Sequence, residues 1–295
     1  MNLKQLQFAV ALAEEGSFTR AAVRCHVVQS ALSHQIARLE DELGTALFQR
    51  LPRGLRVTPA GEVLLRHARQ VLGGVRQLQA EVAAATGEVR GTLAVGQISA
   101  QSRIDLVAAL ADYHQRHRQV EFQLRTDRSE VLLAQVQARQ LDVALVGLPP
   151  GDALAGLQHQ LIEEEVLVAM LPAGHRLAAR RQLPLAALQD EALVDFPAGS
   201  GARRQTDDAF AAAGLAHTVR YEVNHMDLVE RFIAHGLAIG IVPASLAAGF
   251  TSGVQVALRP APRRRVHLVW QRQPTPAAQA FVSAVLRRVP AAPDP

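Results

Sequence analysis

Between residues 29 and 38 the chain sets Gln29, Ser30, Ser33, His34 and Arg38 in succession. At about 100° per residue a helix gathers these polar groups on one side. They are short donors and acceptors with one guanidinium, a set suited to the edge of a base pair or to phosphate rather than to bond breaking. The opposite side carries Leu32, Ile36, Leu39 and Leu43 at steps of four, three and four, a single apolar stripe. A second group of candidates lies where predicted strands give way to helices: Ser99, Gln101 and Ser102 in "QISAQSR", Ser129 in "TDRSE", and Phe196, Gly199 and Ser200 in "DFPAGSGAR". Free backbone N–H groups at such helix starts suit a carboxylate or another anion. Each serine is equally readable as a plain helix cap.

The elements around the first group follow from periodicity. Leu3, Leu6, Val10 and Ala13 predict a first helix that stops at "EEGS", with Ser17 placed to cap the next. Residues 18–25 form a second short helix with Phe18, Ala21, Ala22 and Cys25 inward, and a third carries the polar face. Two helices joined by a tight turn, the second exposing a polar face near its N-terminus, describe a helix-turn-helix entering a major groove. A three-helix bundle with a solvated face is the plainer alternative. In "ALFQRLPRGLRV" two short extended runs flank Pro52 and Gly54, which predicts a hairpin with Arg53 at its tip. Arg20, Arg24, Arg38, Arg50, Arg53 and Arg56 stand against Glu40, Asp41 and Glu42 between residues 16 and 60, a balance that suits phosphate. From "TPAGE" a long helix runs to about residue 85, with Leu64, Ala68, Val71, Val75, Leu78 and Val82 alternating by four and three. That is the coiled-coil period, and it predicts dimerisation.

The combination of "FAVALAEEGSFTRAA", "QSALSHQIARLEDELGTALFQR" and "VTPAGE" resembles the DNA-binding domain and linker helix of LysR-type transcriptional regulators. Val28 stands where that family usually has a capping serine, Ser30 where proline is frequent, and Cys25 where leucine is frequent. The resemblance implies a winged helix-turn-helix over 1–58, a linker and dimerisation helix over 59–88, and an effector-binding domain over 91–290. It further implies a homodimer or homotetramer on double-stranded DNA, an interrupted inverted-repeat operator, and a contact with RNA polymerase. The DNA-contacting set is then Arg20, Gln29, Ser30, Ser33, His34, Arg38, Arg50 and Arg53.

The second half reads independently as α/β. Strand-like runs "GTLAVGQI", "EFQLR" and "LDVALVG" alternate with helical ones, and the alternation returns at "EEEVLVAML", "EALVDF", "VRYEV" and "AIGIVP". "RRVHLVWQR" returns to the first group before a helix from Pro276. Two lobes follow, about 91–160 with 266–290, and about 161–265. A chain that crosses twice makes a hinge with a ligand cleft, as in periplasmic binding proteins. The expected cleft residues are Ile98, Ser99, Ala100, Gln101, Ser102, Ser129, Gly147, Phe196, Gly199, Ser200, Asn224 and His225. Arg103, Arg128 and Arg203 near the rim favour an anionic small-molecule effector.

Other chemistry finds little support. The 295 residues carry a net charge of +4 and one cysteine, which excludes an intramolecular disulfide. No nucleophile elbow, phosphate loop or metal motif is present, so neither enzyme activity nor a cofactor is expected. His114 and His117, three apart on a helix, are read as solvated rather than metal-binding. Cys25 admits two readings, a small packed residue or a redox thiol whose pKa Arg24 and His26 lower. A solute-binding or enzymatic α/β protein with an incidental helical N-terminus is the remaining alternative. With no secretory pattern at its start, and with "GLAIGIVPASLAAGF" too short to span a bilayer, the chain reads as cytoplasmic.

Overall fold

The computed structural model describes residues 1–51, 54–99, 104–151, 154 and 156–289, which divide into two compact units. The first is essentially Met1–Glu88. Helix α1 (Leu3–Glu15) opens on a capping box between Asn2 and Gln5 and ends at Gly16, and α2 (Phe18–Arg24) is capped by Ser17. Helix α3 (Gln29–Leu43) starts at Val28 with no side-chain cap, as its sequence implies, and ends at Gly44. Strands β1 (Phe48–Leu51) and β2 (Gly54–Val57) pair antiparallel, and α4 (Pro59–Ala85) follows, capped by Thr58.

Phe8, Leu12, Leu32, Ile36, Leu39 and Leu65 form the core of this unit. The buried face of α1 differs from the expected stripe: Leu6, Phe8, Ala9, Ala11 and Leu12 are inside, whereas Leu3 is 43% exposed. Helix α1 touches α2, α3 and α4 together, so it buries a broad arc that a one-sided period does not describe. Glu40 is structural rather than a mere surface charge, because its Oε1 accepts from the Leu47 and Phe48 N–H groups at 2.8 and 3.1 Å. The Thr58 hydroxyl donates to the Ala46 carbonyl and accepts from the Gly61 N–H, which locks the start of α4 to the approach of the hairpin.

The second unit alternates strands and helices. In chain order it contains β3 (Gly91–Gln97), α5 (Leu106–Arg116), β4 (Val120–Thr126), α6 (Ser129–Gln137), β5 (Val143–Leu148) and β6 (Leu157–Leu171). Then come β7 (Gln182–Pro184), a 3-10 turn (Leu185–Leu188), β8 (Ala192–Asp195), α7 (Gly201–Ala212), β9 (Thr218–Glu222), α8 (Met226–Ala234) and β10 (Ile239–Pro243). The chain ends in α9 (Ala244–Ala247), β11 (Val254–Arg259), β12 (Arg263–Gln271) and α10 (Pro276–Leu286). The strand order is β4-β3-β5-β12-β6-β10-β8-β9, with β11 joined to β6 and β7.

Strand β6 belongs to both lobes. Its residues Leu157–Val166 pair with β12, and Leu167–Met170 pair with β10. It is longer than the nine-residue run "EEEVLVAML", because "LQHQLI" is too polar to read as a buried strand. Strands β7 and β11 also escape the sequence pattern. Both are short, and β11 hides only alternate residues such as Val256 and Leu258. In each lobe apolar clusters cover both faces of the sheet. Among the described residues no helix is long and apolar enough to cross a membrane.

Gly61 is the tightest point of the first unit. A Cβ there would lie 2.2 Å from the Leu47 carbonyl oxygen and 2.8 Å from Val57 Cγ1. Gly61→Ala is therefore expected to destabilise the unit by at least about 1–3 kcal/mol, because the obstacle is backbone and cannot rotate away. Urea unfolding followed by circular dichroism measures this, and an unchanged midpoint would mean that the hairpin can shift freely against α4.

Candidate functional site

Each unit carries one candidate surface. On α3, Gln29, Ser30, His34, Ala37 and Arg38 are exposed and Ser33 is half-buried, while Leu32, Ile36 and Leu39 are inside. The polar side chains thus share one open face near the start of the helix. Arg20 is exposed but engaged with Glu15, and Arg24 lies 2.6 Å from Glu14 and 3.3 Å from Glu15. The side chain of Arg50, and Arg53 altogether, lie outside the described residues.

Along α4 the expected dimerisation stripe is not uniform. Ala68 is buried on the stretch that packs with α1, and Leu64 and Val75 are half-buried. Val71, Leu78 and Val82 are exposed, the last two at 61% and 62%. Apolar groups of that size on an open helix face are what a second helix would cover.

Cys25 is half-buried beside the core of this unit. Burial pushes its thiol up, and Arg24 only partly opposes this. The net direction is opposite to the one a redox role requires, because one nearby cation does not make up for lost water. His117 lies against Tyr113, and His114 sits edge-on to Phe122. No group of three or more His, Cys, Asp or Glu is assembled for a metal among the described residues.

In the second unit, a cavity of about 300 Å³ opens between the lobes at the carboxyl ends of β3, β4, β8 and β9. Ile98, Ser99, Ser129, Gly147, Phe196, Ser200, Asn224 and His225 line it together. Gly199 is not in the wall. It holds a left-handed φ of +79° in the turn before α7, a geometry that favours glycine. Ala100, Gln101, Ser102 and Arg103 lie outside the described residues.

Several of these groups already have partners. The Ser129 hydroxyl donates to the Gly147 carbonyl at 2.9 Å and accepts from the Gly147 N–H at 3.1 Å. It fastens α6 to β5 and has little left for a ligand. The Ser200 hydroxyl donates to the Pro197 carbonyl and accepts from the Arg203 N–H, so it caps α7. Arg203, expected at the rim, lies 2.7 Å from Asp207 and 3.3 Å from Glu222. Its charge is offset by two carboxylates.

Sequence reasoning missed Asp195 and Arg264. Both are nearly inaccessible and both line the cavity. Arg264 is held by Glu165 at 2.5 Å. Asp195 ends β8, where an apolar run terminated by a single acid was the available signal. Its Oδ1 accepts from the Phe196 N–H at 2.7 Å. Burial pushes its pKa up to about 7. Thr206, the Phe196 N–H and Arg203 draw it back, and Asp207 adds to the rise.

Because the folded value lies above the unfolded one, the native protein keeps a proton that the unfolded chain loses from about pH 4 to pH 7. Stability on account of this group falls as pH rises through that window and is flat above it. Asp195→Asn should remove the slope, leaving the variant more stable than the parent at pH 8 by at most about 4 kcal/mol and nearly equal at pH 4. Denaturant unfolding across that range is the check, and a constant difference at all pH values would mean that the carboxyl does not titrate there. Ser129→Ala should cost about 1–3 kcal/mol, since it strands both polar groups of Gly147.

Comparison with known proteins places both units. Residues 3–62 match the bacterial regulatory helix-turn-helix protein model of the lysR family, and residues 86–290 match the LysR substrate binding domain. The DNA-binding transcriptional dual regulator OxyR of Escherichia coli K12 is 32% identical, with 92% of this chain and 90% of that protein covered. The RuBisCO operon transcriptional regulator of Allochromatium vinosum is 29% identical, over 82% of this chain and 79% of its own length. The fold matches that of full-length OxyR from Pseudomonas aeruginosa with a TM-score of 0.72, at 24% identity and covering 98% and 97% of the two chains. The chain belongs to the LysR family and is a DNA-binding transcriptional regulator that joins a helix-turn-helix domain to an effector-binding domain.

Proposed function

We propose that this regulator works in the cytoplasm as a homodimer or homotetramer, with α3 reading an operator and a small molecule in the inter-lobe cavity setting its response. The observation that carries the first part is the open polar face of α3 set against a closed apolar one. Gln29, Ser30, Ser33 and His34 present donors and acceptors to base edges, and Arg20, Arg38, Arg50 and Arg53 meet phosphate. The domain boundaries are those of the sequence: the DNA-binding part to residue 58, the linker helix from 59 to 88, and the effector part beyond 91.

Val71, Leu78 and Val82 are the basis for dimerisation through α4, with Leu64, Ala68 and Val75 completing the period. A two-fold dimer presents two recognition helices, so the operator is an interrupted inverted repeat. Ligand closure of the lobes would change the protein's hold on DNA and on RNA polymerase. The protein acts by binding rather than catalysis, a reading supported by the serines Ser129 and Ser200 of the wall, whose hydroxyls are already held by backbone partners. The direction of the Cys25 shift gives the thiol-switch reading no support.

Selection of bound fragments from genomic DNA supplies the operator for the tests. His34→Ala should lose about 1–3 kcal/mol on the operator and much less on scrambled duplex, by fluorescence anisotropy. An equal loss on both would mean that His34 reads no base. Arg38→Ala should weaken both and lower the slope of log K against log salt by about one. Affinity that does not fall with salt would overturn DNA binding through this face. Replacing Leu78 and Val82 by Glu should give monomers by analytical ultracentrifugation, and an unchanged mass would move the interface elsewhere.

A further inference from the structure

The cavity wall contains a buried acid whose second oxygen makes no hydrogen bond of ordinary geometry. Asp195 is 5% exposed, and Oδ2 is that oxygen, while Oδ1 is held by the Phe196 N–H. The fully buried Thr206 hydroxyl stands close enough to this carboxyl to draw its pKa down, yet makes no hydrogen bond of ordinary geometry. Two arginines near it are committed, Arg203 to Asp207 and Glu222 and Arg264 to Glu165, while Arg128 also lines the cavity with an exposed side chain. Apolar side chains share the wall with Asp195, among them Ile98, Leu167, Phe196, Met226 and Ile241.

A buried carboxylate is costly unless it gains a donor or an opposite charge, and near-complete pairing of buried polar atoms is the rule in native proteins. A ligand that brings both to Oδ2 would satisfy it. An alcohol brings the donor only, and an incoming carboxylate brings like charge into a site of low dielectric. The helix starts at the wall would favour an anion by roughly half a charge each. That preference is already met in part: α6 has Asp127 and Glu130 beside its first residue, and the Ser200 hydroxyl closes the start of α7. At pH 8, above its pKa of about 7, the charge of Asp195 outweighs what is left.

We infer that the effector is a small organic amine whose ammonium group donates to Asp195 Oδ2 while its apolar body packs against Phe196, Ile98 and Ile241. The inference rests on the reading of the cavity as the effector site. A cavity of about 300 Å³ lies at the small end of ligand sites, which limits the body to about one ring or a short chain. This departs from the anionic effector expected from Arg103, Arg128 and Arg203: Arg203 is paired with two carboxylates, and Arg128 lines the cavity as an exposed side chain, whereas Asp195 is buried in its wall.

Three probes with one ring and different head groups test this: benzylamine, benzyl alcohol and benzoate, each titrated by calorimetry into the full-length protein at pH 8. Benzylamine should bind at least about tenfold more tightly than the other two. In Asp195→Asn that preference should collapse, with folding verified by thermal denaturation. The ranking in the unaltered protein needs no variant and stands as a test by itself. Benzoate binding as well as benzylamine, a preference that survives Asp195→Asn, or no binding of any probe would overturn the amine. A bulky Ala202→Trp, placed in the wall, separates this from failure of the cavity reading. A probe that Ala202→Trp excludes but that does not favour the amine leaves the cavity as a ligand site and sinks only the amine. Probes that bind regardless of Ala202→Trp show that the cavity is not the site, and they overturn both.

Discussion

Glu164 and Glu165 on β6 face Arg265 and Arg264 on β12 where the chain passes from one lobe to the other, and the effector half depends on that pairing. In the antiparallel register Arg264 stands opposite Glu165 and Arg265 opposite Glu164. Glu164 accepts from both Arg263 and Arg265, which hold its carboxyl below the usual range. Glu165 and Arg264 form the buried member of the set. Such a buried pair gains little net stability over apolar residues, since desolvation offsets most of its attraction. Its use is in the register. A slip of one residue would reverse which side chains face the core and strand a buried guanidinium, so only one alignment of the crossing strands is tolerable.

That alignment sets the cavity. Once β6 and β12 are fixed, Leu167, whose N–H donates to the Pro262 carbonyl, stands at the point of crossing and forms part of the cavity wall. The parallel strands of each lobe are stacked outward from the crossing pair, and their carboxyl ends converge on the same space. Arg264 contributes at both levels, locking the register through Glu165 and closing the wall with its side chain.

How far the sequence could be read follows from where its signals are local. Periodicity and turn residues are local, so the helices of the first unit, the hairpin and most strands of the second were legible. The helix start at Thr58-Pro59 was legible from its cap. What escaped depended on partners distant in sequence. The buried arc of α1 is decided by three neighbours. The polar first half of β6 becomes a strand because β12 pairs with it across a hundred residues. Ser129 and Ser200 at helix starts line the cavity, yet whether their hydroxyls are free is a question of contacts, and Gly147 and Pro197 have claimed them. Asp195 was passed over because one acid at the end of an apolar run resembles a strand boundary. Only its burial distinguishes it.

The contacts between lobes indicate how a ligand could act. Gly201, at the start of α7 in one lobe, has so little room that a Cβ would stand 2.8 Å from Glu130 Oε1 and 3.3 Å from the Gly147 carbonyl of the other. Beside it Arg204 reaches Glu130 across the gap at 3.4 Å. Both groups of that pair are more than a third exposed, so its attraction is screened and small. The approach of the lobes is thus permitted by the missing side chain at Gly201 rather than driven by strong contacts. An arrangement held so lightly is open to bias by whatever occupies the cavity, and a ligand biases it only through contacts that differ between open and closed lobes. Asp195 and Phe196 belong to one lobe and Ile98 and Ser99 to the other, so a molecule touching both sets has that difference built in.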